Sequence, residues 1–336
     1  MAATTSTTLE LSAALTPNPR TQPLIDGRVH PEGITLLTTA VHASEMFWRQ
    51  LKFAEFDISE MSLSSLIIAT SRGPTDWVAI PVFTMRHFFH TGILVRSDAG
   101  IEAPADLRGK RVGVPEYQQT SALWSRGILR DQFGVEPRDI HWFMERPPEQ
   151  SHGGSTGFVP PDGVRLDYIG RETDIGRMLL AGELDATLLY LNTSNLVDRS
   201  RADLSARSEI RRLFPDPAAE ARRYYAATGI FPINHTVVVR RSLLERYPWI
   251  ALNLYAAFTR IKDALRAERD VLLEPYVSAG LLAADATAAL AHDPLAYGVT
   301  AARPVLETIA RYTHEQGLAA RRVAIDELFA ESTLAL

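Results

Sequence analysis

The stretch DLRGKRVGVPEY, positions 106–117, decides the fold. A turn and short helix over 97–110 hand over to an apolar strand at 111–114, and the polar run Tyr117-Gln-Gln-Thr-Ser121 then opens a helix over 121–133. Strand, polar turn and helix in that order make half of a βαβ unit, the building block of a parallel sheet flanked by helices. The same rhythm extends outward. Upstream, strands at 36–40, 56–60 and 78–83 alternate with helices at 44–51, with Ser44 a suitable N-cap, and at 62–69, opened by Ser62. Downstream come a strand at 140–143, a long surface loop at 146–163 rich in Pro, Gly, Ser and Gln, a helix at 175–180 and a buried strand at 185–191. An arginine-rich helical stretch over 205–228, broken by Pro215 and Pro217, precedes a strand at 235–240 and helices over about 248–267, 281–291 and 303–317. The class is α/β.

A chain of 336 residues with 46% hydrophobic and 22% charged residues has the length for two domains. The 35 basic and 40 acidic residues leave a net charge of -5 with no block of one sign, so nucleic acid is not an expected partner. Zero cysteines exclude disulfides, thiolate metal sites and a cysteine nucleophile. The opening MAATTSTTLELSAALTPNPR has neither a basic leader nor an apolar core of signal-peptide length, and no stretch reaches a membrane span. A cytoplasmic protein without a membrane partner is expected, with residues 1–20 a flexible tail. The lobes are expected at 21–94 with 236–336, and at 95–235.

The stretch 106–117, preceded by ILVRSD at 93–98, resembles the type II periplasmic-binding-protein fold: two α/β lobes, each a mostly parallel sheet flanked by helices, with a ligand cleft between them. More narrowly, the chain is similar to the 4,5-dihydroxyphthalate decarboxylase family, cytoplasmic enzymes built on that scaffold. The matching stretches are EMSLSS at 60–65, VAIPVF at 78–83, RGKRVGVPEYQ at 108–118, RGIL at 126–129, DIHW at 139–142, GIFPI at 229–233 with His235-Thr236, and HEQGL at 314–318. Segments 188–194 and 146–163 depart from the family pattern and are expected to border the cleft. The resemblance implies conversion of 4,5-dihydroxyphthalate, or a close hydroxylated aromatic acid, to 3,4-dihydroxybenzoate (protocatechuate) and carbon dioxide. The alternative on the same scaffold is a solute-binding protein of an ABC transporter for a small aromatic or heterocyclic acid. The absence of a signal peptide favours the enzyme.

Decarboxylating such a ring without an organic cofactor needs donors that orient the carboxylates, a base for a ring hydroxyl and an acid that protonates the ring carbon. FTMRHFFH at 83–90 ends a strand, where open α/β sheets hold ligands. Arg86 is a candidate carboxylate clamp, with a surface arginine as its ordinary alternative. His87, His90 and His235 are candidates for acid/base work, although lone histidines are more often structural. Ser62, Ser64 and Ser65 stand where a strand runs into a helix, able to bind an anion or simply to cap. Tyr117, Gln118 and Thr120 occupy the equivalent place in the second lobe. Glu60 and Glu116 are bases or ion-paired carboxylates. His87 and His90 have a metal-compatible spacing and a divalent ion could bind a catecholate, yet no metal or other cofactor is required by the sequence. A small anionic aromatic substrate is the expected partner, and self-association through the helices after 248 is expected.

Overall fold

Two sheets form, one from each arm of the strand and helix rhythm, in a computed structural model that describes residues 8–336 apart from the side chains of residues 284 and 287. In the first, β2 (Ile34–Ala40) and β3 (Ile58–Ser62) flank β1 (Leu9–Leu15), and β11 (Ile233–Arg240) lies between β3 and β4 (Trp77–Arg86). β1 runs parallel to β2 and β3, whereas β11 is antiparallel to β3 and β4. The second sheet has the order β10 (Ile210–Arg212), β5 (Leu94–Arg96), β9 (Ala186–Thr187), β6 (Arg111–Val114), β7 (His141–Met144) and β8 (Arg165–Tyr168). Its last four strands are parallel, and β5 and β10 add antiparallel. Both sheets are therefore mixed. The chain enters the second sheet between Arg86 and Leu94 and returns between Arg212 and Ile233.

Helices α1 (Gln22–Ile25), α2 (Ala43–Phe53) and α3 (Leu63–Ser71) connect the first strands, and α4 (Thr120–Phe133), α5 (His152–Thr156), α6 (Ile175–Ala181) and α7 (Pro217–Thr228) those of the second sheet. After β11 come α8 (Arg241–Arg246), α9 (Trp249–Ser278), α10 (Ala284–Ala291) and α11 (Val299–Glu315). The arginine-rich stretch starts as strand β10, because Pro217 fits the first turn of a helix and Asp216 caps it through Ala219 N–H. The loop 146–163 contains α5, capped by Ser151. Helix α2 is entered through His42, not Ser44. Among the described residues no helix is long and apolar enough to cross a membrane.

The expected flexible tail is corrected over its second half. Strand β1 is an inner strand with Leu11, Ala13, Ala14 and Leu15 buried; residues 1–7 lie outside the described residues. Ser12, Ala13 and Ala14 have weak strand preference, which full pairing with β2 overrides. The Asp57 carboxylate adds a clamp, accepting Ser12 N–H at 3.0 Å and Ser12 Oγ at 2.9 Å. Removing residues 1–20 should therefore unfold the first lobe, and Leu11→Ala should cost about 3 kcal/mol in chemical denaturation. A truncated chain with wild-type melting would sink this assignment.

Candidate active site

Between the sheets lies a cavity of about 340 Å³ whose lining includes the carboxylate of Glu60, 1% exposed on β3. Every residue of β3 is buried, so Glu60 must find donors inside the protein. It finds them on three neighbouring strands. Thr16 N–H, just past β1, donates at 2.6 Å; Thr84 Oγ1 of β4 donates as well; and Nδ1 of His235 on β11 stands 3.2 Å away. Burial pushes the Glu60 carboxyl up, but the His235 contact and the Thr84 and Thr16 donors outweigh it and hold the group below the ordinary carboxylate range. An ionised Glu60 can only accept, so the His235 proton sits on Nδ1 and Nε2 is left for chemistry. The Phe47 ring meets the imidazole edge-on at 4.7 Å and fixes its plane.

The opposite wall is built by the segment after β7. Arg146, 1% exposed, donates Nε to Asp198 at 2.7 Å and brings Nη1 to 3.4 Å from His152 Nε2. His152 Nδ1 lies 3.1 Å from Ser65 Oγ on α3. Burial, then the Arg146 charge, holds His152 well below the usual imidazole range, so it is neutral. Arg146 addresses its Nε2, which assigns the proton to Nδ1 facing Ser65. His42 also lines the cavity, half-buried; desolvation lowers its pKa, and its buried Nδ1 has no hydrogen-bond partner among the described residues. Arg20 reaches the cavity from the loop after β1, with Nε and Nη2 on the Thr84 carbonyl at 3.2 and 2.6 Å. Phe47, Phe89, Leu189 and Leu191 supply an apolar part of the cavity lining.

Of the candidate site residues singled out in the sequence, Glu60, His235, Ser62 and Thr120 line this cavity. Ser64 and Ser65 lie behind them. Thr120 Oγ1 stands 2.8 Å from Ser62 Oγ and accepts Ser64 N–H at 2.9 Å, so the start of α3 is closed by a side chain of the second lobe, not open to an anion. Six further residues singled out in the sequence lie outside the cavity, and their assignments are corrected. Arg86 turns out of the cleft onto the carbonyls of Phe231 and Ala296, and burial lowers its pKa to about 10. His90 is buried 3.1 Å from Glu220 Oε1, its pKa pushed down to about 4 by desolvation, while His87 is exposed outside the cavity. That separation also removes the metal-compatible pair. Tyr117 is core, its ring 3.7 Å beneath the Arg126 guanidinium, and Gln118 serves Thr156 and Ser64. Glu116 is buried and accepts His152 N–H. Among the described residues no three His, Cys, Asp or Glu side chains are grouped to hold a metal ion.

Sequence reading missed Arg20, His42, Phe47 and Arg146. Arg20 and His42 follow strands β1 and β2 as Arg146 follows β7, and the strand-end rule would have found Arg146. Arg20 escaped because β1 itself was not recognised. The segments 146–163 and 188–194 do border the cavity, through Arg146 and His152 and through Leu189 and Leu191.

A family model described as the periplasmic substrate-binding protein of phosphonate ABC transporters matches residues 41–245. Among solved structures, the periplasmic aliphatic sulphonate binding protein of Escherichia coli aligns with TM-score 0.54 at 15% identity, covering 98% of this chain and 99% of that one. The alkanesulfonate-binding protein of Xanthomonas axonopodis pv. citri aligns with TM-score 0.52 at 15% identity, covering 95% and 97%. At that identity these neighbours establish the fold alone. In sequence, the 4,5-dihydroxyphthalate decarboxylase of Pseudomonas putida is 37% identical over 54% of this chain and 70% of that one. The enzyme of the same name from Comamonas testosteroni is 33% identical over 97% of this chain and 98% of its own length. A likeness running end to end over a chain whose two sheets enclose an acid/base cavity leaves one assignment: this protein belongs to the 4,5-dihydroxyphthalate decarboxylase family, on the two-lobed binding-protein fold.

Proposed function

We propose that this protein is a carboxy-lyase that converts 4,5-dihydroxyphthalate to 3,4-dihydroxybenzoate and carbon dioxide, acting in the cytoplasm without an organic cofactor or resident metal. The observation that carries the reading is the buried Glu60 and His235 pair on the cavity wall. A receptor needs affinity alone, whereas a histidine oriented by a buried carboxylate is a proton carrier.

Each substrate carboxylate is para to a hydroxyl. Taking the proton from that hydroxyl pushes an electron pair through the ring onto the carbon that bears the carboxylate, and that carbon takes a proton. The bond to the carboxylate then breaks, its electrons return to the ring, carbon dioxide leaves and the phenolate takes back the proton that the base removed. The net change is one proton gained and one carbon dioxide lost. A para hydroxyl and the reacting carbon are too far apart for one imidazole, so two are assigned. His235, held by Glu60 through Nδ1, takes a proton from water on Nε2 and delivers it to carbon, and neutral His42 accepts the one from oxygen and returns it to the phenolate. Arg20, which makes no ion pair among the described residues, holds the carboxylate that stays, and Arg146 is kept rigid by Asp198 as a second donor. Phe47, Phe89, Leu189 and Leu191 cover the ring and exclude water.

Mixing the purified protein with 4,5-dihydroxyphthalate should release carbon dioxide and protocatechuate catalytically, and equally after treatment with a chelator. Binding without turnover would restore the receptor reading, and loss of turnover on chelation would bring in a metal. His235→Asn can still donate to Glu60, so it should bind substrate normally while kcat falls by about 10²- to 10⁴-fold. Wild-type turnover would reassign the proton donor. Because burial holds His42 below the ordinary imidazole value of 6.5, its base form already predominates at pH 6.5 and is lost only as pH falls further. The acid limb of kcat/KM should therefore have its midpoint below 6.5; a midpoint above that value would exclude His42 as the base.

A further inference from the structure

A groove of about 300 Å³ runs beside the cleft, and Arg20 belongs to the walls of both. Its far wall is α9, which contributes Lys262, Arg266 and Arg269. Spacings of four and three residues put these cations on one helix face, where like charges repel. That repulsion is eased by Asp263 and Asp270, three residues before and four after Arg266. Nearby acids offset it only in part. Lys262 donates to Asp293 and Arg269 pairs with its neighbour Asp270 at 2.5 Å, but Arg266 is exposed and makes no hydrogen bond or ion pair among the described residues. Arg20 is held by a backbone carbonyl, which cancels no charge. The groove walls thus set Arg20, Lys262, Arg266 and Arg269 against Asp263 and Asp293, a local excess of positive charge in a protein whose net charge is -5.

We propose that this groove is an electrostatic antechamber, which gathers aromatic dicarboxylate dianions and passes them to the cleft through Arg20. The inference rests on the decarboxylase reading for the identity of the dianion. A protein of net negative charge repels such a substrate at a distance, and a local cationic funnel at the cleft mouth reverses that repulsion where it matters. Asp263 and Asp293 on the groove walls keep the field moderate, so the dianion is attracted without being trapped.

Rim charges of this kind act on association rates and are screened by salt. The association rate constant of 4,5-dihydroxyphthalate, followed by stopped-flow quenching of tryptophan fluorescence, should fall about threefold in Arg266→Gln at ~10 mM ionic strength and further in Arg266→Glu. At ~1 M salt the three proteins should coincide, and Arg266→Lys should match wild type throughout. Arg303→Gln changes net charge equally but lies outside the groove, so it should leave the rate unchanged. An Arg266→Gln rate equal to wild type at low salt, a deficit that persists at ~1 M, or an equal loss in Arg303→Gln would each overturn the proposal. The same series with phthalate, a dianion without ring hydroxyls, separates the two readings. If the chain fails to decarboxylate 4,5-dihydroxyphthalate but phthalate still shows the salt-dependent loss, the antechamber stands and the enzyme assignment falls.

Discussion

One buried carboxylate organises the first lobe. Glu60 sits on β3 and takes donors from the end of β1, from β4 and from β11, so four adjacent strands meet at a single ion. A charge removed from water costs several kcal/mol unless it is fully bonded, and removing one partner leaves that cost uncovered. The register of the sheet and the orientation of His235 are therefore set together. A strand slipped by one residue would turn a donor to the other face and strand the carboxylate. Positioning of the proton carrier comes from the sheet, not from a loop, which is what chemistry sensitive to fractions of an ångström requires.

The second constraint is that the lobes are bonded directly to one another. Ser62 and Ser64 meet Thr120, Ser65 meets His152, and Trp48 and Lys52 donate to the Glu149 carbonyl at 2.9 and 3.1 Å. On another side, Asp131 of α4 accepts from Arg311 and Tyr312 of α11, and Gly127 lets the two helices approach so closely that a Cβ there would fall 2.2 Å from the Tyr312 ring. These contacts hold His152 and Arg146 opposite His235. A cavity with its acid and base on one lobe and the Arg146 donor on the other works only while the lobes keep their spacing.

How much of this was legible in the sequence follows from the kind of information each feature needs. Strands such as 111–114 and 78–83 announce themselves by apolar runs between turn signals, and His235 opens one of them. β1 did not, because SAAL is neither apolar enough nor β-branched enough to look like a strand; only its pairing with β2 and β3 makes it one. Arg86 misled for a related reason. Its place at a strand end was read correctly, but the register shifts between β4 and β11 and the nearby Ala296 carbonyl turn its side chain away. Gln118 and Tyr117 stand at the right end of the right strand and point into packing. Position along a strand is written in the sequence, while the direction of a side chain depends on partners hundreds of residues away.

The charge inventory of the cleft suggests how an enzyme on a receptor's fold lets its product go. Arg146 is matched by Asp198, so that pair adds little net charge. Net positive charge near the cavity comes chiefly from Arg20 and the α9 cations beyond it. A dicarboxylate feels that field with two charges, and the product of decarboxylation with one. Coulomb attraction scales with charge, so losing carbon dioxide halves the electrostatic hold on the ring while the apolar contacts stay the same. A binding protein designed to keep its ligand would have no such asymmetry. In this cleft the bond broken in the reaction also weakens the grip on what remains.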